Sequence, residues 1–289
     1  YDPTCGSGGL LLNCALHLKE EGKEYRTLKL YGQEINLITS AIARMNMFMH
    51  GIEEFQIARG DTLAQPAFIE NDELKKFNVI LANPPYSIKA WDRKSFETDP
   101  YGRNLWGTPP QGCADYAFQQ HIQKSLNKDN GRSISLWPHG ILFRDSEAEM
   151  RRKMVEQDLV ECVIGLGPNI FYGTQLAACV LVFKQQKEKY KQGKVLFIDG
   201  SETPDAAWDY VIYTLQSLNI DYLETEISAT GEDSKYDESF KDDDDDNMEI
   251  PEPTSTLSLL ALGTLGAAST IKRKLKPSQS TEKETTKVS

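Results

Sequence analysis

The sequence predicts an α/β fold, a doubly wound and mostly parallel sheet, and three observations predict it. Short apolar runs of strand length alternate with helical periodicity through the first 200 residues. A glycine-rich turn, Asp2-Pro3-Thr4-Cys5-Gly6-Ser7-Gly8-Gly9, opens one of the helices. Glu34, Asp61 and Asn83 each stand just behind a strand-like run. Such alternation implies a parallel sheet covered on both faces, with ligands gathered at the carboxyl ends of its strands.

The runs at residues 28–31, 55–58, 77–82, 133–137, 160–164, 178–183 and 195–198 read as strands. Residues 9–20, 36–50, 115–127 and 146–157 carry helical spacing. A glycine turn that opens a helix normally follows a strand, yet only Tyr1 precedes Asp2-Pro3. The chain therefore reads as truncated at its N-terminus, with the first strand of the sheet missing.

The 289 residues hold 32 Lys plus Arg against 43 Asp plus Glu, a net charge of −11, which at face value argues against gripping a phosphate backbone. Hydrophobic residues at 39% suffice for a core, and collagenous, wholly disordered and multi-span membrane classes are excluded. The charge is not evenly spread. Residues 1–200 contain 24 basic and 24 acidic residues, and residues 201–289 contain the remaining 8 and 19. Five scattered cysteines with no Cys-x-x-Cys pair, and four histidines at no ligand spacing, predict reduced thiols and no metal site.

In the turn at residues 2–9, Gly6 and Gly8 let the backbone approach a ligand, and the helix N-terminus favours a carboxylate or phosphate. It is not a P-loop, because no Gly-Lys-Ser/Thr follows. Glu34 suits the hydroxyls of a ribose, or equally the N-terminus of the next helix. Asp61 suits an adenine amino group, or equally a helix cap. Asn83-Pro84-Pro85-Tyr86 decides among these readings. A ring-conjugated amine is a poor nucleophile. An amide oxygen from Asn83 and an exposed Pro84 carbonyl can accept from its two N–H bonds and orient its lone pair towards an electrophile. Pro85 restricts the backbone, and Tyr86 offers a face for stacking. Taken alone, Asn-Pro-Pro is a strand-ending turn.

With the stretches Gly32-Gln33-Glu34, Ala41 to Asn46, Gly60-Asp61-Thr62-Leu63, Asp99-Pro100-Tyr101-Gly102-Arg103, Asp115 to His121, Pro138 to Arg144 and Asn169 to Thr174, these motifs resemble S-adenosylmethionine-dependent methyltransferases that modify DNA adenine at N6. The resemblance is nearest to the modification subunit of type I restriction–modification systems, and it covers nearly all of residues 1–200. It implies that Asp2, Gly6, Ser7 and Gly8 line the methionine end of the cofactor, Glu34 its ribose and Asp61 its adenine. Asp115 and Phe118 would stand further along the cofactor. Asn83 and the Pro84 carbonyl would hold the target amine. Tyr86, phenylalanine in most type I subunits, would stack on the flipped base, with Phe171 or Tyr172 opposite it. The implied reaction is in-line methyl transfer without a metal or a covalent intermediate. No Pro-Cys pair occurs, which excludes the covalent route of cytosine C5 enzymes. The implied partners are DNA, a specificity subunit and a restriction subunit, in the cytoplasm. That family also carries a helical domain ahead of the first motif. The motif alone is shared with methyltransferases of glutamine amides and ribosomal RNA, which remain the alternative.

Residues 201–250 read as an acidic, mostly disordered linker that ends in the run Asp242 to Asp246. A calcium site there lacks the glycine and distal glutamate of a calcium loop. Residues 251–276 resemble a PEP-CTERM sorting tail: Pro251-Glu252-Pro253, an apolar stretch, then Lys272-Arg273-Lys274. Membrane contact would run through residues 254–271 alone. A sorting tail fits exported proteins rather than a cytoplasmic methyltransferase, so it reads as a fusion or remnant, with an exported, inactive protein as the other reading. Residues 277–289 read as a disordered end.

Overall fold

The computed structural model describes residues 1–168 and 176–200. Phe171, Tyr172, the acidic segment 201–250, the PEP-CTERM-like segment 251–276 and the end 277–289 lie outside the described residues.

Helix α1 (Gly9–Glu20) leads into β1 (Leu30–Glu34), α2 (Leu37–Met49) and β2 (Phe55–Arg59), with β1 and β2 paired in parallel. A small antiparallel hairpin, β3 (Ile69–Glu70) and β4 (Glu73–Leu74), precedes β5 (Val79–Ala82). Then come the short α3 (Arg93–Glu97), α4 (Asp115–Ser125), β6 (Arg132–Pro138), α5 (Ala148–Glu156), β7 (Val160–Leu166), β8 (Ala178–Lys184) and β9 (Leu196–Gly200). The second group of strands lies in the order β5-β6-β8-β7-β9.

Tyr1 and Asp2 join the two groups. The Tyr1 ammonium donates to the Val79 carbonyl, and the Leu81 N–H donates to the Tyr1 carbonyl. On the other side the Asp2 N–H donates to the Tyr31 carbonyl, and Asp2 bridges Gly32 in parallel. These two residues therefore occupy the strand slot between β1 and β5, where the sequence predicted a missing first strand.

Side chains sort to the two faces with the period of a strand. Ile80, Val163, Cys179, Leu181 and Phe183 share one cluster with Tyr116, Phe118 and Ile122 of α4 and with Met150 and Met154 of α5. Leu81, Cys162, Ile164, Val180 and Val182 share the opposite cluster, against which Leu10 and Cys14 of α1 pack. Burial on both faces is why β8, and β7 beyond Glu161, read as continuous apolar runs rather than as alternation.

The prediction of a mostly parallel sheet meets one reversal. β8 runs antiparallel to both β6 and β7. Only residues 167–177 separate β7 from β8 in the sequence, shorter than the dozen or more residues that a parallel crossover needs, and strands joined so closely pair antiparallel. The first predicted strand is also displaced, to Leu30–Glu34 from residues 28–31. Leu28 closes a turn onto the Tyr25 carbonyl. Polar Gln33 continues the strand because its amide is fully buried, donating to the Gln65 carbonyl at 2.9 Å and accepting from the Ala67 N–H at 2.9 Å. Hairpin β3–β4 turns on Asn71 and Asp72, at φ of 51° and 63°. These are residue types that tolerate the left-handed region.

Candidate functional site

The parallel strands bring Asp2, Glu34, Asp61 and Asn83 to one carboxyl edge of the sheet, because each sits at or just past the end of its strand slot. The glycine turn leaves the Asp2 slot. Gly6 and Gly8 adopt φ of 54° and 81°, and a Cβ on Gly8 would also approach Met47 Cε to 2.9 Å. The Gly6 N–H donates to Glu34 Oε2 at 3.0 Å, and the Asn36 N–H donates to Glu34 Oε1 at 2.8 Å. Ser7 is buried, and its carbonyl accepts from Asn46 Nδ2 at 2.9 Å, so the Ala41 to Asn46 stretch braces the turn.

Asp2 is the perturbed acid of the site. Burial pushes its carboxyl up to about 7, with the Glu34 charge adding to the effect and the Thr4 N–H, which donates to Oδ1 at 2.9 Å, opposing it.

Asp61 caps its own turn, accepting from the N–H groups of Leu63 at 2.8 Å and Ala64 at 3.2 Å through Oδ1. A second device fixes this turn from outside. The Arg103 guanidinium is 2% exposed and donates to the carbonyls of Thr62 and Leu63, both at 2.8 Å. Asp99 accepts from Arg103 Nε at 2.9 Å and Nη2 at 2.6 Å, and the rings of Phe96 and Tyr101 lie 5.5 and 5.4 Å from the guanidinium. Thr62 Oγ1 donates to the Pro3 carbonyl, tying the Asp61 turn to the glycine turn. The Asp99 to Arg103 stretch thus clamps one turn of the edge.

Asn83 follows β5, and its Oδ1 accepts from the Tyr86 hydroxyl at 3.2 Å. Burial first, then the neighbouring Cys179 and Asp115, pushes that hydroxyl above the usual phenol range. Of the residues expected along the cofactor, Asp115 is fully buried at the start of α4. Its Oδ1 accepts from the Ser87 N–H at 2.7 Å, and its Oδ2 is paired with Arg144 Nη2 at 2.6 Å. Phe118 packs within the main core cluster. Sequence reasoning named Arg103 and Arg144 only as ends of resembling stretches, with no role, and did not single out Glu147. The signal for the first was an Asp-to-Arg spacing of four residues, with nothing to say that the pair is buried.

The N-6 DNA Methylase family model matches residues 1–245. The chain belongs to that family. Among its curated relatives, the type I restriction enzyme HindI methylase subunit of Haemophilus influenzae is 34% identical over 70% of this chain and 44% of its own length. The MpnII methylase subunit of Mycoplasma pneumoniae is 37% identical over 70% of this chain and 38% of its own. The chain thus spans less than half the length of these two relatives. Among solved structures, the type I restriction–modification methyltransferase subunit from Streptococcus thermophilus superposes with a TM-score of 0.65 at 32% identity, covering 76% of this chain and 48% of that one. The sheet of this methylase-family chain is of the S-adenosylmethionine-dependent methyltransferase type. Among its described residues, no group of three or more His, Cys, Asp or Glu could hold a metal ion, and no helix is long and apolar enough to cross a membrane.

Proposed function

We propose that the chain carries out methyl transfer from S-adenosylmethionine to N6 of a flipped-out adenine in DNA, as part of a type I modification subunit. The observation that carries this reading is the gathering of Asp2, Glu34, Asp61 and the Asn83-Pro84-Pro85-Tyr86 turn on one strand edge. The catalytic part falls within residues 1–200. The partners are DNA, a specificity subunit and a restriction subunit, and the setting is cytoplasmic.

The residues fit the cofactor by their chemistry. Three carboxylates at successive strand ends suit a ligand bearing cationic groups, a ribose diol and an amino-purine. Asp2, with the backbone of Gly6, Ser7 and Gly8, holds the methionine end, Glu34 the ribose, and Asp61 the adenine amine. Bound S-adenosylmethionine supplies an electrophilic methyl group on its sulfonium.

Asn83 Oδ1 and the Pro84 carbonyl accept from the two N–H bonds of the target amine, and that pulls its lone pair out of conjugation and points it at the methyl carbon. Oδ1 keeps one acceptor position while the Tyr86 hydroxyl occupies the other. The tyrosine ring is the stacking face, and Pro85 limits movement of the turn. Methyl transfer would break the sulfonium carbon–sulfur bond as the nitrogen–carbon bond formed, leaving the thioether S-adenosylhomocysteine, and the methylated amine would lose one proton to water.

Calorimetric titration with S-adenosylmethionine tests the reading. Binding by the wild-type chain, lost in Glu34→Ala and kept in Asn83→Ala, is the expected pattern. Label from the cofactor should then appear on adenine of plasmid DNA and not on a release factor. No binding by the wild-type chain, or label on the release factor alone, overturns the proposal.

A further inference from the structure

The turn that carries Asn83 to Tyr86 is held from outside as well as by its own Tyr86–Asn83 hydrogen bond. Ser87, the residue after it, sits at φ 52°. A non-glycine residue keeps that conformation when its surroundings fix it. The fixing contact is the Ser87 N–H on Asp115 Oδ1 at 2.7 Å. Asp115 comes from the first turn of α4, and a carboxylate with no exposed surface needs a partner there. Arg144 is that partner, 2.6 Å away.

Arg144 is held in turn. Its Nε donates to Glu147 Oε2 at 2.8 Å, and its carbonyl accepts from Arg151 Nη1 at 2.7 Å. Gly140 makes the space, since a Cβ there would come within 3.1 Å of Arg144 Nη1. Two separate stretches of chain are thereby locked onto the turn: the start of α4, and the continuous segment that runs from Gly140 after β6 into α5.

Resting on the methyltransferase reading above, we propose that Asp115 and Arg144 are positioning residues, an ion pair with its carboxylate buried and its guanidinium partly exposed, that holds the Ser87 N–H and so aims the Asn83 amide and Pro84 carbonyl at the target amine. Neither touches cofactor or base. Asp115, which sequence resemblance placed along the cofactor, acts in this proposal through the backbone N–H of Ser87. The charged pair gives a stronger and more directional anchor than a neutral acceptor, because a hydrogen bond to an ionised carboxylate is short and strong.

Amide hydrogen exchange read by mass spectrometry on the full chain tests this without needing activity. In Asp115→Ala, exchange of residues 83–90 should rise at least tenfold while β6 and β8 stay protected as in the wild type. Asp115→Asn keeps an acceptor for the Ser87 N–H and should restore most of the protection. Arg144→Gln should loosen the same residues, and it carries the test if Asp115→Ala does not fold. In the methyl-transfer assay, Asp115→Ala and Arg144→Gln should lower kcat at least tenfold with the affinity for S-adenosylmethionine unchanged. Wild-type exchange at 83–90 in Arg144→Gln, or a rise spread equally over the whole sheet, overturns the proposal. So does a loss confined to cofactor affinity. A wild-type chain that transfers no methyl group to DNA overturns the methyltransferase reading and leaves the exchange measurement to decide the positioning role by itself.

Discussion

The two halves of the strand edge are built alike and anchored differently. On the side proposed for the cofactor, the Asp61 turn is gripped by Arg103, whose guanidinium and its partner Asp99 are almost completely enclosed, 3% and 1% exposed in their side chains. On the side proposed for the base, the Asn83 turn is gripped through Asp115 by Arg144, whose side chain keeps 25% of its surface. Both devices use a carboxylate–guanidinium pair, yet Arg103 donates directly to backbone carbonyls whereas Arg144 acts through an intervening carboxylate. The first is part of the core and its loss is a matter of folding. The second stands nearer to water and its loss is a matter of aim.

That difference breaks most sharply at Arg103. Arg103→Ala leaves Asp99 buried without its charge partner, which costs on the order of 3–5 kcal/mol. The denaturant midpoint should fall accordingly, with the slope of the transition unchanged. A loss no larger than that of Arg144→Gln would erase the distinction between the two anchors.

Next in size is Asn83→Ala. It removes one of two acceptors needed only while the amine is attacked, so kcat should fall by about 100-fold or more, the scale on which a single preorganised polar group acts. Cofactor affinity and stability should stay within error of wild type, measured by calorimetry and thermal melting. A drop in affinity would move Asn83 to the cofactor half.

The edge itself was legible in the sequence, and its anchors were not. Glu34, Asp61 and Asn83 announce themselves because each follows an apolar run and each is a residue type with a definite acceptor chemistry. Arg103, Arg144 and Glu147 are three charges in a chain that is 26% charged, and nothing in their spacing says which charges are enclosed. Burial depends on long-range packing, here of α4 and α5 against one face of the sheet. The same limit works in the other direction on α2. Its apolar spacing predicted a helix correctly, but Ile38, Phe48 and Met49 are 71%, 77% and 72% exposed, so helical periodicity did not imply a covered face. Strand β1 was misplaced for a related reason: Gln33 looks like a strand breaker until its amide is seen to be satisfied inside.

Glu34→Ala sharpens the cofactor half. Glu34 already accepts from the Gly6 and Asn36 N–H groups. Its removal loosens the glycine turn as well as deleting the acceptor for ribose hydroxyls. Hydrogen bonds to a charged group are worth about 1.5–3 kcal/mol, so affinity for S-adenosylmethionine should weaken roughly 10- to 100-fold. Exchange at residues 83–90 should not change, because no part of the Asp115–Arg144 anchor rests on Glu34. If it does change, the two halves are one cooperative unit.

The smallest effect is a titration, and it too should be confined to the cofactor side. The Asp2 carboxyl is raised to about 7 by burial. Its unfolded counterpart ionises near 4, so the folded chain binds a proton that the unfolded chain has released between those values. The contribution of Asp2 to stability is therefore fully present below about pH 4 and is lost as the pH rises through 7. Cofactor binding should show the opposite slope. A cationic methionine end favours the ionised carboxylate, so affinity should rise roughly tenfold between about pH 6 and 8 as the neutral form disappears. Near pH 7, binding should release a fraction of a proton, measurable as a dependence of the calorimetric enthalpy on the buffer's ionisation heat. In Asp2→Asn both the slope and the proton release should vanish. If they persist, the titrating group lies elsewhere and the methionine end does not meet Asp2.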